Sequence, residues 1–266
     1  MKIWSIANQK GGVGKTTTTV SLAGLLSQRG YRCLLVDGDP HGSLSVYLGN
    51  DPDTQEGGLY QLFHMEGQYT KHDVQQQILS TDFENIDLLP ASTAMAALDR
   101  QMGTKPGKGL VFTKSLKCLE EDYDYVLIDC PPQLGILMVN ALAICNQLLI
   151  PVQTEFLALK GLERMVHTLH MIMQSRNTVL NYTVIPTLFD RRTKASRGAL
   201  EVLQEQYQDN LWPSVIPVDT QFREASLRGM PLSMLAPKSR GIVAYQNLLS
   251  YLLGEPEQVE KVVAQL

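Results

Sequence analysis

One turn of the chain gathers the groups needed to hold a phosphate chain. Lys10, Gly11, Gly12, Val13, Gly14, Lys15 and Thr16 stand consecutively in the stretch "NQKGGVGKTTTTVSLAGLLSQRG", Asn8 to Gly30. Glycines let successive backbone N–H groups converge on an anion, and a helix N-terminus adds partial positive charge. A lysine reaches the terminal phosphates, and a hydroxyl such as Thr16 can ligate Mg²⁺. Thr17 completes the candidate phosphate-binding set. The chemistry is that of a nucleotide phosphate cradle. The strict pattern G-x-x-x-x-G-K-[ST] is not met, because Gln9 stands five positions before Gly14. An ordinary tight connection also uses glycines, but it has no need of a Lys-Thr pair at the start of a helix.

The flanks supply that context. "KIWSIA" reads as a buried first strand, while Val20, Leu22, Ala23, Leu25 and Leu26 recur at helical spacing and stop at Gly30, a C-cap position. Further apolar runs suited to strands lie at 33–37, 85–90, 125–129, 147–152, 182–189 and 212–218, most of them separated by helical stretches. Continuous apolar strands alternating with helices predict an α/β fold, a mostly parallel twisted sheet with helices on both faces. One domain over residues 1–254 and a short tail at 255–266, with apolar residues at helical spacing, are expected. The stretch Lys105–Gly109, "KPGKG", reads as a loop.

Three carboxylates fall where such sheets bind ligands, at the carboxyl ends of strands. Asp37 and Asp39 close the second strand in "VDGDPHGS", and Asp129 ends "YVLID" before Pro131 and Pro132 break the chain. Taken alone, the first pair could be a solvated turn and Asp129 a cap. Beside a phosphate loop, a strand-end aspartate can hold Mg²⁺ through water.

"KGGVGKTT", "LLVDGDPHGSLS" and "DCPPQLGILMVNAL" together resemble the deviant P-loop, first switch and second switch of the ParA/MinD partition-ATPase superfamily, and the resemblance extends along nearly the whole chain. It implies a P-loop NTPase that binds ATP and Mg²⁺, forms an ATP-dependent homodimer and hydrolyses ATP slowly. It implies roles for Lys15 and Thr16 at the phosphates and metal, and for Asp37 and Asp129 around the metal. Asp39 would position the attacking water, and Lys10 would cross to the nucleotide of a second subunit. His41 replaces the family's usual glutamine and Gly38 its usual apolar residue. "PVQTEFLALKGL" resembles the segment whose glutamate approaches the ribose, which makes Glu155 a candidate there, with a solvated helix start as the equal alternative. "IPVDTQFREA" aligns with the segment flanking adenine, where Pro217 stands but Asp219 replaces asparagine. An aspartate accepts from the adenine amino group but cannot also donate as an amide does.

Composition bounds the rest. The 266 residues are 44% hydrophobic, ample for a core, and carry 23 basic against 27 acidic residues. No apolar run approaches the roughly 20 residues that span a bilayer, and a cytoplasmic protein is expected. Cys33, Cys118, Cys130 and Cys145 have no metal-ligand spacing and read as reduced, structural thiols. In the tail, Val259, Val262, Val263 and Leu266 share a helical face, but Glu255, Glu257 and Glu260 against one lysine disfavour an anionic membrane surface, so no stable membrane insertion is expected.

Nucleoid-riding members need a positive surface. Where they typically read "IPRNVRLSEAPSHGKP", this chain reads "IPVDTQFREASLRGMP", with Val218, Gln221 and Met230 at basic positions and Arg223 and Arg228 in partial compensation. The acidic balance and this segment resemble the ParC-type relatives that position chemotaxis arrays at cell poles. That resemblance implies a protein partner that anchors the ATPase or stimulates it, and polar concentration in the cytoplasm, while the charge balance leaves non-specific DNA binding weak. The alternative is a plasmid or chromosome partition ATPase. A P-loop metabolic enzyme such as an amide ligase is a third class, for which the sequence offers no second motif.

Overall fold

The computed structural model describes residues 1–65, 68–98, 108–176 and 180–255. Its strands are β1 (Lys2–Ile6), β2 (Cys33–Asp37), β3 (Leu79–Ser80), β4 (Ile86–Leu89), β5 (Tyr125–Asp129), β6 (Gln147–Gln153) and β7 (Tyr182–Thr187). They form one seven-stranded sheet in the order β3-β4-β2-β5-β1-β6-β7, in which only β3 is shown running antiparallel to its neighbour. The fold is α/β, as the alternation of strands and helices predicts. By packing, the chain gathers into two compact units: Met1–Ala7 with Leu26–Asn146, and Asn8–Leu25 with Gln147–Leu266.

In the first unit every residue of β2 and β5 is buried. A strand buried at successive positions is covered on both faces, which is why these segments are continuously apolar rather than alternating. Their parallel register sets Cys33 opposite Tyr125 and Asp37 opposite Asp129, while β1 brings Ile6 opposite the same Asp129. The carboxyl ends of three strands are therefore flush. Beyond β2 and β5 lie α2 (Ser43–Tyr47) and α6 (Ile136–Ile144), and between them α3 (Gly58–His64), α4 (Lys71–Gln75) and α5 (Val111–Lys117). Buried Asn140 on α6 accepts from the Phe112 N–H at 3.1 Å and donates to the Lys108 carbonyl at 2.8 Å, anchoring the start of α5.

α1 (Lys15–Gln28) follows the glycine turn of the second unit, and its chain closes at Gly30 with φ +82°. β6 and β7 pair in parallel from Leu148–Tyr182 to Gln153–Thr187, and α7 (Phe156–Arg176) connects them. α8 (Lys194–Gln206), α9 (Gln221–Leu227), α10 (Leu232–Leu235) and α11 (Arg240–Leu252) complete the description.

Two expectations need correction. Residues 212–218 form no ladder strand; the segment follows β7 through isolated bridges, Val184 with Leu211 and Phe189 with Pro217. Pro213 and Pro217 lack the N–H that a ladder requires, so only Trp212, Ile216 and Val218 donate to the β7 side. Of the expected loop at Lys105–Gly109, Lys108 and Gly109 belong to a short 3₁₀ turn, Lys108–Leu110, and the rest lies outside the described residues. The expected tail helix also lies outside them beyond Glu255. Among the described residues no helix is long and apolar enough to cross a membrane.

Candidate functional site

The glycine turn is tied down at each end. Asn8 is buried; its Nδ2 donates to the Pro151 carbonyl at 2.8 Å and its Oδ1 accepts from the Lys10 N–H at 2.9 Å. On the other side the Val13 carbonyl accepts from Thr187 Oγ1 at 2.8 Å, and Thr18 shares a 2.8 Å hydrogen bond with the buried Tyr245 hydroxyl. Between these anchors Gly12 (φ +73°) and Gly14 (φ +93°) adopt left-handed backbone that a side chain disfavours, and β-carbons at Gly11, Gly12 or Gly14 would meet nothing within 4 Å. Positive φ at Gly12 and Gly14, not packing, calls for glycine there. Lys15, Thr16 and Thr17 form the first turn of α1, with Lys15 Nζ donating to the Lys10 carbonyl at 3.4 Å.

Lys10 does not extend away from its own chain. Its ammonium pairs with the Glu155 carboxylate and donates to Gln153 Oε1 at 3.3 Å, both at the end of β6. Two residues assigned by resemblance to different parts of a nucleotide thus hold one another. Phe156 and Leu157, next along α7, are 69% and 70% exposed.

The base-side candidates are committed to structure. Asp219 Oδ1 accepts from the Gln221 N–H and Oδ2 from the Gly241 N–H, each at 3.0 Å, so the carboxylate caps the start of α11 and orders the turn into α9. A β-carbon on Gly241 would fall 2.4 Å from the Phe222 ring, which would have to shift. Pro217 is half-buried in the bridge to Phe189.

In the first unit, Asp37 is fully buried at the end of β2. Its Oδ2 accepts from the Ser45 N–H at 2.7 Å and hydroxyl at 2.8 Å, and its Oδ1 from the Asp39 N–H at 3.2 Å. The Ser45 oxygen in turn accepts from the Ala91 N–H at 3.0 Å. Burial pushes the Asp37 carboxyl up to about 7, against the opposing pull of the Ser45 and Asp39 hydrogen bonds. Asp129, opposite it in register, is likewise buried. Asp39 is nearly buried, and its Oδ1 accepts from the His41 N–H at 3.0 Å and lies 2.9 Å from His41 Nδ1. Gly38 explains its own departure from the family pattern: its N–H donates to the Asp129 carbonyl at 2.9 Å, and a β-carbon would stand 2.9 Å from that oxygen.

Asn8, Gln153, Thr187 and Ser45 are the supporting residues that the sequence reading missed. The signal was limited: Asn8 and Thr187 stand at strand ends, but their partners are 143 and 174 residues away. Asp37 and Asp129, paired in register, offer only oxygen, the donor type that suits a hard cation. No cluster of three or more His, Cys, Asp or Glu side chains able to hold a metal occurs among the described residues. All four cysteines are free thiols; burial pushes Cys33 up to about 12 and Cys145 to about 11, which suppresses the reactive thiolate.

A family model described as an AAA domain matches residues 1–182. The sporulation initiation inhibitor protein Soj of Bacillus subtilis is 36% identical over 248 residues, covering 93% of this chain and 96% of Soj. A chromosome partitioning protein ParA of Myxococcus xanthus is 32% identical over 93% of this chain and 86% of its own. Among solved structures, cobyrinic acid a,c-diamide synthase of Mycobacterium smegmatis with bound ATP analogue and magnesium superposes with TM-score 0.80 at 32% identity, covering 95% and 94% of the two chains. The ATP complex of an aspartate-to-alanine variant of McdA from Cyanothece gives TM-score 0.82 at 25% identity, covering 96% of each. With this agreement over almost its full length, the chain belongs to the ParA/Soj family of partition proteins.

Proposed function

We propose that this protein is an ATP-dependent dimerising switch that hydrolyses ATP slowly and positions a cellular cargo. The observation that carries the reading is the glycine turn, with left-handed Gly12 and Gly14 before Lys15 and Thr16 and with open space at the loop. Residues 1–254 would constitute the ATPase domain. The loop N–H groups and Lys15 would bind the phosphates, Thr16, Asp37 and Asp129 would supply oxygen ligands for Mg²⁺, and Asp39 would orient the attacking water. Lys10 from a second subunit would offset phosphate charge, as an arginine finger does. Glu155 near the ribose and Pro217 and Asp219 near the base complete the proposed nucleotide set. Mg²⁺, when bound, neutralises charge on the phosphate oxygens.

The preferred cargo is a polar protein assembly such as a chemotaxis array; the alternative is DNA partition, supported by relatives named as chromosome partitioning proteins. The chain's own charges weigh toward protein: Arg192 pairs with Asp190 at 2.8 Å and Arg228 with Glu224 at 2.7 Å, which reduces the positive surface near α8 and α9.

The test combines turnover with sedimentation. Lys15→Ala is expected to lose nucleotide binding or turnover, whereas Asp39→Ala should bind ATP, hydrolyse it poorly and accumulate as dimer. Wild-type turnover in Asp39→Ala would remove the water-positioning role. Turnover that requires a carboxylic acid acceptor and a nitrogen donor would instead indicate an amide ligase, the activity named for the cobyrinic acid relative. Pull-down with purified chemotaxis-array proteins against co-sedimentation with duplex DNA then separates the two cargoes.

A further inference from the structure

The turn after β2 pairs a buried carboxylate with an exposed imidazole. The Asp39 side chain is 12% exposed and that of His41 74%. Asp39 Oδ1 accepts from the His41 backbone N–H at 3.0 Å and meets the ring Nδ1 at 2.9 Å. A carboxylate oxygen accepts, so the ring contact takes the proton on Nδ1. Both bonds fall on one oxygen. Oδ2 is not engaged by the pair.

We propose that His41 is a positioning residue for Asp39: by taking Oδ1 through both its main-chain and ring N–H groups, it fixes the carboxylate with Oδ2 presented to the reacting water. The inference rests on the assignment of ATP hydrolysis to this site. Glutamine, the residue the family resemblance places here, can donate to Oδ1 through its amide and so can replace the ring donor.

The test has two arms. In ¹⁵N-edited NMR of the nucleotide-free protein, the His41 ring is expected in the Nδ1–H form, shifting toward the Nε2–H form in Asp39→Ala. In ATP turnover, His41→Ala should lose about tenfold in kcat, the scale of one hydrogen bond to a charged group, with KM little changed. His41→Gln should recover most of that loss. Wild-type kcat in His41→Ala, no recovery in His41→Gln, or an Nε2–H ring in the wild type would each overturn the proposal. Failure of the ATPase reading looks different: no wild-type turnover, or full turnover in Asp39→Ala, while the NMR arm still reports the pair.

Discussion

A β-carbon on Gly38 would stand 2.9 Å from the Asp129 carbonyl oxygen, and the Gly38 N–H donates to the same oxygen. The carbonyl is main chain at the flush end of β5, so relief requires the backbone of β2 or β5 to move. Gly38→Ala is therefore expected to destabilise the protein by about 1–3 kcal/mol, the range for overpacking a rigid site. Denaturant unfolding measures it, and an unchanged midpoint would mean the turn relaxes freely. The reason is a contact with the end of β5, more than ninety residues away in sequence, so the sequence shows the departure but not its cause. Asp37, Asp129 and the turn glycines were legible because strand ends and glycine turns are local signals. The Ser45 bonds to Asp37 were not, since they depend on how the turn between them folds.

Most strands were legible as continuous apolar runs, because burial on both faces removes polar positions from β2 and β5. The short β3 and the proline-interrupted 212–218 segment were not, since two residues make no pattern and apolar content does not replace a missing N–H. The contact between the glycine turn and the end of β6 is the most consequential feature beyond sequence reach. Lys10, which the proposed mechanism sends to a second subunit, is paired within its own chain to Glu155, with side chains 32% and 37% exposed. A pair that exposed contributes on the order of 0–1 kcal/mol. Releasing Lys10 thus costs dimerisation at most a few-fold. Glu155→Gln is expected to tighten the ATP-dependent dimer by up to about fivefold, read by sedimentation across a protein concentration series. Lys10→Ala should still bind ATP and remain monomeric. If Glu155→Gln instead weakens nucleotide binding without affecting dimerisation of the loaded protein, Glu155 acts at the nucleotide and its pairing with Lys10 is incidental.

Charge decides the behaviour of the whole molecule toward nucleic acid. The chain carries 23 basic against 27 acidic residues, a formal net charge of -4. Between Asp190 and Tyr245, the basic residues Arg191, Arg192, Lys194, Arg197, Arg223, Arg228, Lys238 and Arg240 face the acidic Asp190, Glu201, Glu205, Asp209, Asp219 and Glu224. Two of those arginines are engaged, Arg192 by Asp190 and Arg228 by Glu224, and Val218 at 42% exposure occupies a position where the family resemblance places arginine. Each phosphate contact contributes about 0.9 to the slope of log affinity against log salt, so a surface that neutralises few phosphates binds weakly and shows a shallow slope. Binding to generic duplex is therefore expected to be weak at low salt and gone by physiological ionic strength. The Asp39→Ala dimer, in which two copies of any patch act together, should gain some affinity without changing that outcome. Duplex binding by this ATP-loaded dimer across a salt series measures it, with Arg223→Glu and Arg228→Glu as controls. Tight binding at physiological salt that both reversals abolish would overturn the preference for a protein cargo and make α9 part of a DNA-partition surface.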